Sequence, residues 1–259
     1  MLRPRILPTL LLRGQGLVKG VNFKDYKYVG DPINAVKIFN DKRVDELMFL
    51  DINATNDKKK LSLELIQKIA DECFMPFGVG GGIENVDEAR EILSAGAEKI
   101  SINTAAVKNP KLITEIADVF GKQSVVVSID VKTVGWLSKK KRVMICSGKQ
   151  KTDLDPVEWA KKVESMGAGE ILLNSVDRDG TMSGYDLELI KSVVDEVNIP
   201  VIAGGGAGSI QDLSDGIHIG GAQAVSAGSL FVFHGRRRAV LINFPSTEEI
   251  EEIIDGKAE

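Results

Sequence analysis

The sequence predicts an α/β protein: one (β/α)8 barrel, the TIM-barrel architecture, built from two repeated half-barrels. Three observations carry this expectation. Eight short apolar runs alternate with amphipathic stretches, and 259 residues suit a single barrel of that kind. The second half of the chain also repeats the first. One domain over residues 1–259 is expected, with half-barrels at about 1–120 and 121–245.

The runs expected to form strands are, in order, "RILPTLLL", "DELMFLDI", "MPFGVG", "EKISIN", "SVVVSID", "GEILLNSV", "IPVIAG" and "AQAVSAG". Their middles are apolar, as strands covered on both faces should be, and their charged residues stand at the ends. Between them lie segments such as "LSLELIQKIADE", where Leu63, Ile66, Ile69 and Ala70 recur at helical spacing. An open doubly wound sheet would use the same alternation. The repeat favours the closed barrel.

That repeat is plain when "LSLELIQKIADECFMPFGVGGGI", from Leu61, is set against "YDLELIKSVVDEVNIPVIAGGGA", from Tyr185. Leu63-Glu64-Leu65-Ile66 matches Leu187-Glu188-Leu189-Ile190, Pro76 matches Pro200, and glycines 80–82 match 204–206, all 124 residues apart. A half-barrel cannot close on itself, so two copies make one sheet. The first strand, reaching Leu11, then corresponds to the fifth, reaching Asp130.

Composition narrows the function classes. A net charge of −4 disfavours general nucleic-acid binding, and no apolar run approaches the length of a membrane span. The opening "MLRPRILPTLLLRG" imitates a signal peptide, but its apolar part is short and interrupted by Pro8. Two cysteines, Cys73 and Cys146, form no framework and fit a reducing cytoplasm. With only His218 and His234 as histidines, neither a metal site nor a serine-type triad is expected. No cofactor is expected either.

Barrel chemistry belongs at the carboxyl ends of the strands. There the third strand runs into Gly80-Gly81-Gly82 and the seventh into Gly204-Gly205-Gly206, while the fourth and eighth run into "SINTAA" and "SAGSLF". Glycines let backbone approach a ligand closely, and free N–H groups attract phosphate. Glycine runs also make plain tight turns, but here each is paired with a small polar loop and the set occurs twice. Two phosphate cradles across one mouth imply an elongated ligand with a phosphate at each end.

The motifs "GDPINA", "DELMFLDI", "VGGGI", "EKISINTAAVKNP", "AGEILLNSVDRDGTMSGYD" and "GGGAGS" together are specific. Over almost its full length the chain resembles the cyclase (HisF-like) subunits of imidazole glycerol phosphate synthase. That resemblance implies a barrel that accepts ammonia from a glutaminase (HisH-like) subunit at its amino-terminal face. It also implies cyclisation and cleavage of a bis-phosphorylated nucleotide in histidine biosynthesis, in the cytoplasm. Phosphate contacts are implied at Gly82, Asn103 and Thr104 on one side, and at Gly180, Gly206, Gly228 and Ser229 on the other.

The family's chemistry uses two aspartates, at the ends of strands one and five. This chain keeps Asp130 and carries Leu11 in the other place. Asp51 and Asp179 share the rim, as does Lys19, but neither acid lies on the first strand, so neither is expected to replace the missing one. The segment "LRGQGLVKG" departs from the family's acid-bearing loop, and the tail "LFVFHGRRRAVLINFP" gathers Arg236, Arg237 and Arg238, either as a solvated helix start or as a patch for an anion. These departures resemble a paralogous group tied to surface-polysaccharide (O-antigen, lipopolysaccharide) pathways. Those relatives work beside a glutaminase and an ATP-dependent amidotransferase that turns an acetamido sugar into an acetamidino sugar.

At the opposite face Arg5, Glu46, Lys99 and Glu170 stand near the starts of strands one, two, four and six. They match the family positions regarded as an ammonia gate, and they could equally be a ring that stabilises the barrel floor. The small residues Gly78, Ser101, Ser128 and Ala203 suggest a narrow passage above it. The leading expectation is therefore an ammonia-channelling subunit of a glutamine-dependent amidotransferase complex for sugar modification. An authentic cyclase of histidine biosynthesis is the alternative, and a sugar-phosphate isomerase the third.

Overall fold

The computed structural model describes residues 3–54, 61–135, 139–235 and 237–258. Eight parallel strands form the barrel: β1 (Arg5–Arg13), β2 (Leu47–Asp51), β3 (Phe77–Gly80), β4 (Lys99–Ile102), β5 (Val125–Val134), β6 (Glu170–Ser175), β7 (Val201–Gly204) and β8 (Ala224–Ala227). Each pairs with the next, and Arg5 to Pro8 of β1 pair with Ala224 to Ala227 of β8, closing the sheet. All eight coincide with the strands expected from the apolar runs.

The helices between them start where the sequence supplies a cap. Asp31 and Asp155 accept backbone N–H bonds ahead of Pro32 and Pro156, and Ser209 forms a reciprocal capping box with Asp212. Alternate strand residues face the helices and make the main core, including Ile100, Val127, Ile171 and Val201. Their neighbours point into the barrel, where Leu7, Met48, Val126, Leu172, Ile202 and Ala224 pack as one buried layer. Ala203 belongs to the outer core, so it does not line an internal passage, because its neighbour Ile202 takes the inward position. Gly78 does face inward, and a Cβ there would meet the Met48 terminus at 2.8 Å.

Two features lay outside the sequence reading. β1 and β5 are the longest strands, and each continues past the barrel rim into an antiparallel extension. Leu11, Leu12 and Arg13 pair with Val18, Leu17 and Gly16, and the strand Gly16–Val21 pairs onward with Lys24–Gly30. Asp130 to Val134 pair with the strand Lys140–Ile145. Arg237 and Arg238 do not open a helix. They sit in the turn of a hairpin, Phe233–His234 against Ala239–Val240, and Arg236 lies outside the described residues. Among the described residues, no helix is long and apolar enough to cross a membrane.

Candidate functional site

The carboxyl-terminal mouth is a cavity of about 130 Å3, open to solvent, with both Leu11 and Asp130 in its lining. Asp130 is 8 % exposed, and both its oxygens face amides: Asn174 Nδ2 donates to Oδ1 and Asn103 Nδ2 to Oδ2, each at 3.3 Å. Burial pushes its carboxyl up to about 7. The Asn174 hydrogen bond opposes that rise, and the charge of Asp179 adds to it. Near neutral pH the group is therefore poised between proton donor and acceptor, which suits general acid–base work. Leu11, also 8 % exposed, offers no proton chemistry.

The two glycine loops flank this cavity. Gly81 and Gly82 have φ of 113° and 71°, and Gly205 and Gly206 have 80° and 123°, backbone that only glycine adopts without strain. Among the described residues, the N–H groups of Gly82, Gly206 and Gly228 meet no acceptor. Ser229 Oγ is likewise buried without a partner. Such unpaired donors suit an anion. The Asn103 amide, by contrast, is spent on Asp130 and on the Ser128 carbonyl. Thr104 Oγ1 accepts from the Cys146 N–H at 2.9 Å, so its hydroxyl ties the loop to the β5 extension.

Asp51 and Asp179, on the same rim, differ in their partners. Asp51 Oδ1 accepts the N–H groups of Asn53 and Ala54, at 2.8 and 3.0 Å, and so caps a turn. Lys19, buried, donates to Asp179 Oδ1 at 3.2 Å and lies against Gly228. Gly180 packs closely on the Gly20 carbonyl, where a Cβ would approach to 2.1 Å, and Arg238 donates to the Gly180 carbonyl. Two mouth residues escaped the sequence reading. Asn174 was legible as the one inward polar residue ending an apolar run. Tyr26 arrives on the unexpected extension, where its alternation with Tyr28 was the one available signal.

At the other end of the barrel the four charged residues form a closed ring. Arg5 pairs with Glu46 and with Glu170. Lys99 Nζ reaches Glu46 at 2.8 Å and Glu170 at 3.0 Å. Burial works to lower the Arg5 pKa, but the charges of Glu170 and Glu46 outweigh it and raise it. Among the described residues, no group of three or more His, Cys, Asp or Glu could hold a metal ion.

Residues 5–237 match the family described as histidine biosynthesis protein. A protein of Pseudomonas aeruginosa, named "Putative imidazole glycerol phosphate synthase subunit hisF2", is 51% identical over 251 residues, covering 97% of this chain and 99% of that one. The imidazole glycerol phosphate synthase subunit HisF of Alkaliphilus metalliredigens is 48% identical over 234 residues, 90% of this chain and 92% of its own. That of Pyrococcus furiosus is also 48% identical over 234 residues, covering 90% and 91%.

Proposed function

The chain belongs to the histidine biosynthesis protein family, and we propose that it is the ammonia-accepting barrel subunit of a cytoplasmic assembly of the imidazole glycerol phosphate synthase type. One observation carries this reading: a closed charged ring at the floor lies below a mouth where a buried carboxyl stands between two loops of unpaired N–H groups. A glutaminase (HisH-like) subunit docks at the floor, where Phe74, 87 % exposed, projects from the turn after the helix Leu63–Glu72. Ammonia passes Arg5, Glu46, Lys99 and Glu170. The mouth holds a bis-phosphorylated nucleotide, one phosphate on Gly82, Asn103 and Thr104, the other on Gly180, Gly206, Gly228 and Ser229.

The names of the relatives support cyclase chemistry in the mouth, as in histidine biosynthesis, over the ammonia conduit that the sequence had suggested first. Leu11 favours the second reading, in which ammonia crosses to an ATP-dependent amidotransferase forming an acetamidino sugar for surface polysaccharide. Losing one positioned acid–base group costs about 10²–10⁴ in rate. Turnover of the bis-phosphorylated nucleotide with an ammonium salt separates the two. The cyclase reading expects measurable turnover, slower than that of a two-aspartate homologue. A protein that binds the nucleotide at both loops and never converts it would leave the conduit reading standing.

A further inference from the structure

Leu11 leaves Asp130 without a carboxyl partner across the barrel, yet a second carboxylate enters the same cavity from another element. Asp179 lies in the turn after β6, is 7 % exposed, and lines the cavity with Asp130. Both of its backbone groups are held: its N–H donates to the Ser175 carbonyl at 2.9 Å, and its carbonyl accepts from the Asn22 N–H at 2.8 Å. The side chain is held on one oxygen only. Oδ1 accepts from Lys19 Nζ, whereas Oδ2 is buried and meets no donor.

A buried carboxylate oxygen with no donor is costly, and its retention points to a partner that arrives with the ligand. The surroundings specify that partner. Tyr26 faces the same space, and its phenol is pushed up by burial and then by the charges of Asp179 and Asp130, while Arg13 over its ring opposes them. The other charged groups lining the cavity are Lys19, Asp51 and Glu84. Of these acids, Asp51 is committed to its turn and Glu84 is exposed to solvent. Among the acids lining the cavity, Asp179 is the one with a buried oxygen that has no hydrogen-bond partner; the hydroxyls of Thr9 and Ser101 in the same lining are also unpartnered, but they are not acids.

We infer that Asp179 is the acid–base partner of Asp130 in this chain and does the work of the carboxylate that Leu11 lacks. The inference rests on the cyclase reading and names the second proton-transfer group that reading requires. Asp179, paired with Lys19, is the carboxylate that accepts a proton, and Asp130 is the carboxyl that donates one. As ammonia forms a C–N bond to a carbonyl carbon, the C=O π pair moves to oxygen. One N–H proton passes to Asp179 and the Asp130 proton passes to that oxygen, giving a neutral amino alcohol. Loss of water returns both groups to their starting state: the hydroxyl leaves with the Asp179 proton, C=N forms, and an N–H proton goes to Asp130.

Asp179→Asn and Asp179→Glu test this, with an ammonium salt and the bis-phosphorylated nucleotide as substrates. Asp179→Asn should lower kcat by about 10²–10⁴ while KM stays within about threefold, because Asn still offers Lys19 an acceptor. Asp179→Glu should recover part of that loss. Carboxyl-labelled NMR should show Asp130 titrating lower in Asp179→Asn, since a like charge has gone. An unchanged kcat, or a rise in KM alone, would overturn the inference and leave Asp179 as an anchor for Lys19. An inactive wild type would overturn the cyclase reading together with this one, and the two failures are told apart by which protein is inactive.

Discussion

Leu11 and Asp130 occupy equivalent positions in the two half-barrels. Leu11 pairs with Leu50 on β2, and Asp130 pairs with Asn174 on β6. Leu50 then pairs with Gly80, and Asn174 with Gly204; Asn174 and Gly204 stand 124 positions beyond their counterparts, and Asp130 stands 119 beyond Leu11. The register therefore repeats across the site itself, and the chemistry does not: one half ends in an apolar side chain, the other in a carboxyl.

Replacing Leu11 with aspartate should place a second carboxyl in the mouth. Lost packing and the burial of a polar group should cost about 3 kcal/mol, read by urea denaturation. The added charge should push the Asp130 titration further above about 7. An Asp130 titration unmoved in a folded Leu11→Asp protein would show that the two positions do not face one space.

Asp130 should also make the folded protein less stable as pH rises. Its folded pKa lies above the ordinary carboxylate value, so the native state binds the extra proton between about pH 4 and 7. Stability is then fully kept below that window and declines by up to about 1.4 kcal/mol per pH unit through it. Asp130→Asn should abolish this slope. Denaturation at pH 5 and pH 8 checks it, and parallel pH dependence in both proteins would contradict it.

Gly206→Ala should damage the second glycine loop far more than Gly14→Ala damages its turn. Both glycines have positive φ, but a Cβ on Gly206 would sit 2.2 Å from the Gly184 carbonyl, whereas Gly14 has nothing within 4 Å. Gly14→Ala should cost about 1 kcal/mol from backbone strain alone. Gly206→Ala should cost more and weaken inorganic phosphate binding at least tenfold by calorimetry. Equal effects of the two changes would mean that the close approach is unimportant.

Breaking the floor ring should separate the two nitrogen sources. Lys99→Ala leaves Glu46 and Glu170 sharing Arg5 alone, and removing one member of a buried charged set costs about 3 kcal/mol. In the assembled complex, glutamine-dependent turnover should fall at least tenfold while ammonium salts still support the reaction. Equal losses with both sources would indicate a collapsed floor.

The sequence was most informative where physics is local or repeated. Eight apolar runs became eight strands, and the spacing of 124 between Gly80 and Gly204 reappears as strand register. The floor ring was legible because its four members stand at strand starts. Legibility failed where the barrel rim is built from antiparallel extensions, since "KGVNFKDYKY" alternates at Val21, Phe23, Tyr26 and Tyr28 but has no continuous apolar run of the kind that marks the barrel strands. That is why Tyr26 went unseen. Asp179 was expected at the rim and does line the cavity; what its place in a turn hid from the sequence is that one carboxylate oxygen is buried without a partner. Ala203 was misassigned because a one-residue shift in a strand exchanges barrel interior for outer core.

The buried layer of Leu7, Met48, Val126, Leu172, Ile202 and Ala224 separates the charged floor from the polar mouth. Such a layer acts as a filter on protonation state. An ammonium ion would have to shed its hydration among alkyl groups, at a cost of many kcal/mol, whereas neutral ammonia need only slip between them. On the proposed route, nitrogen rising through the barrel would leave its proton on the lower side and arrive as a free base. The upper compartment would then gain a nucleophile without gaining acid, and every proton spent there would come from the mouth's own groups or from water at its open end.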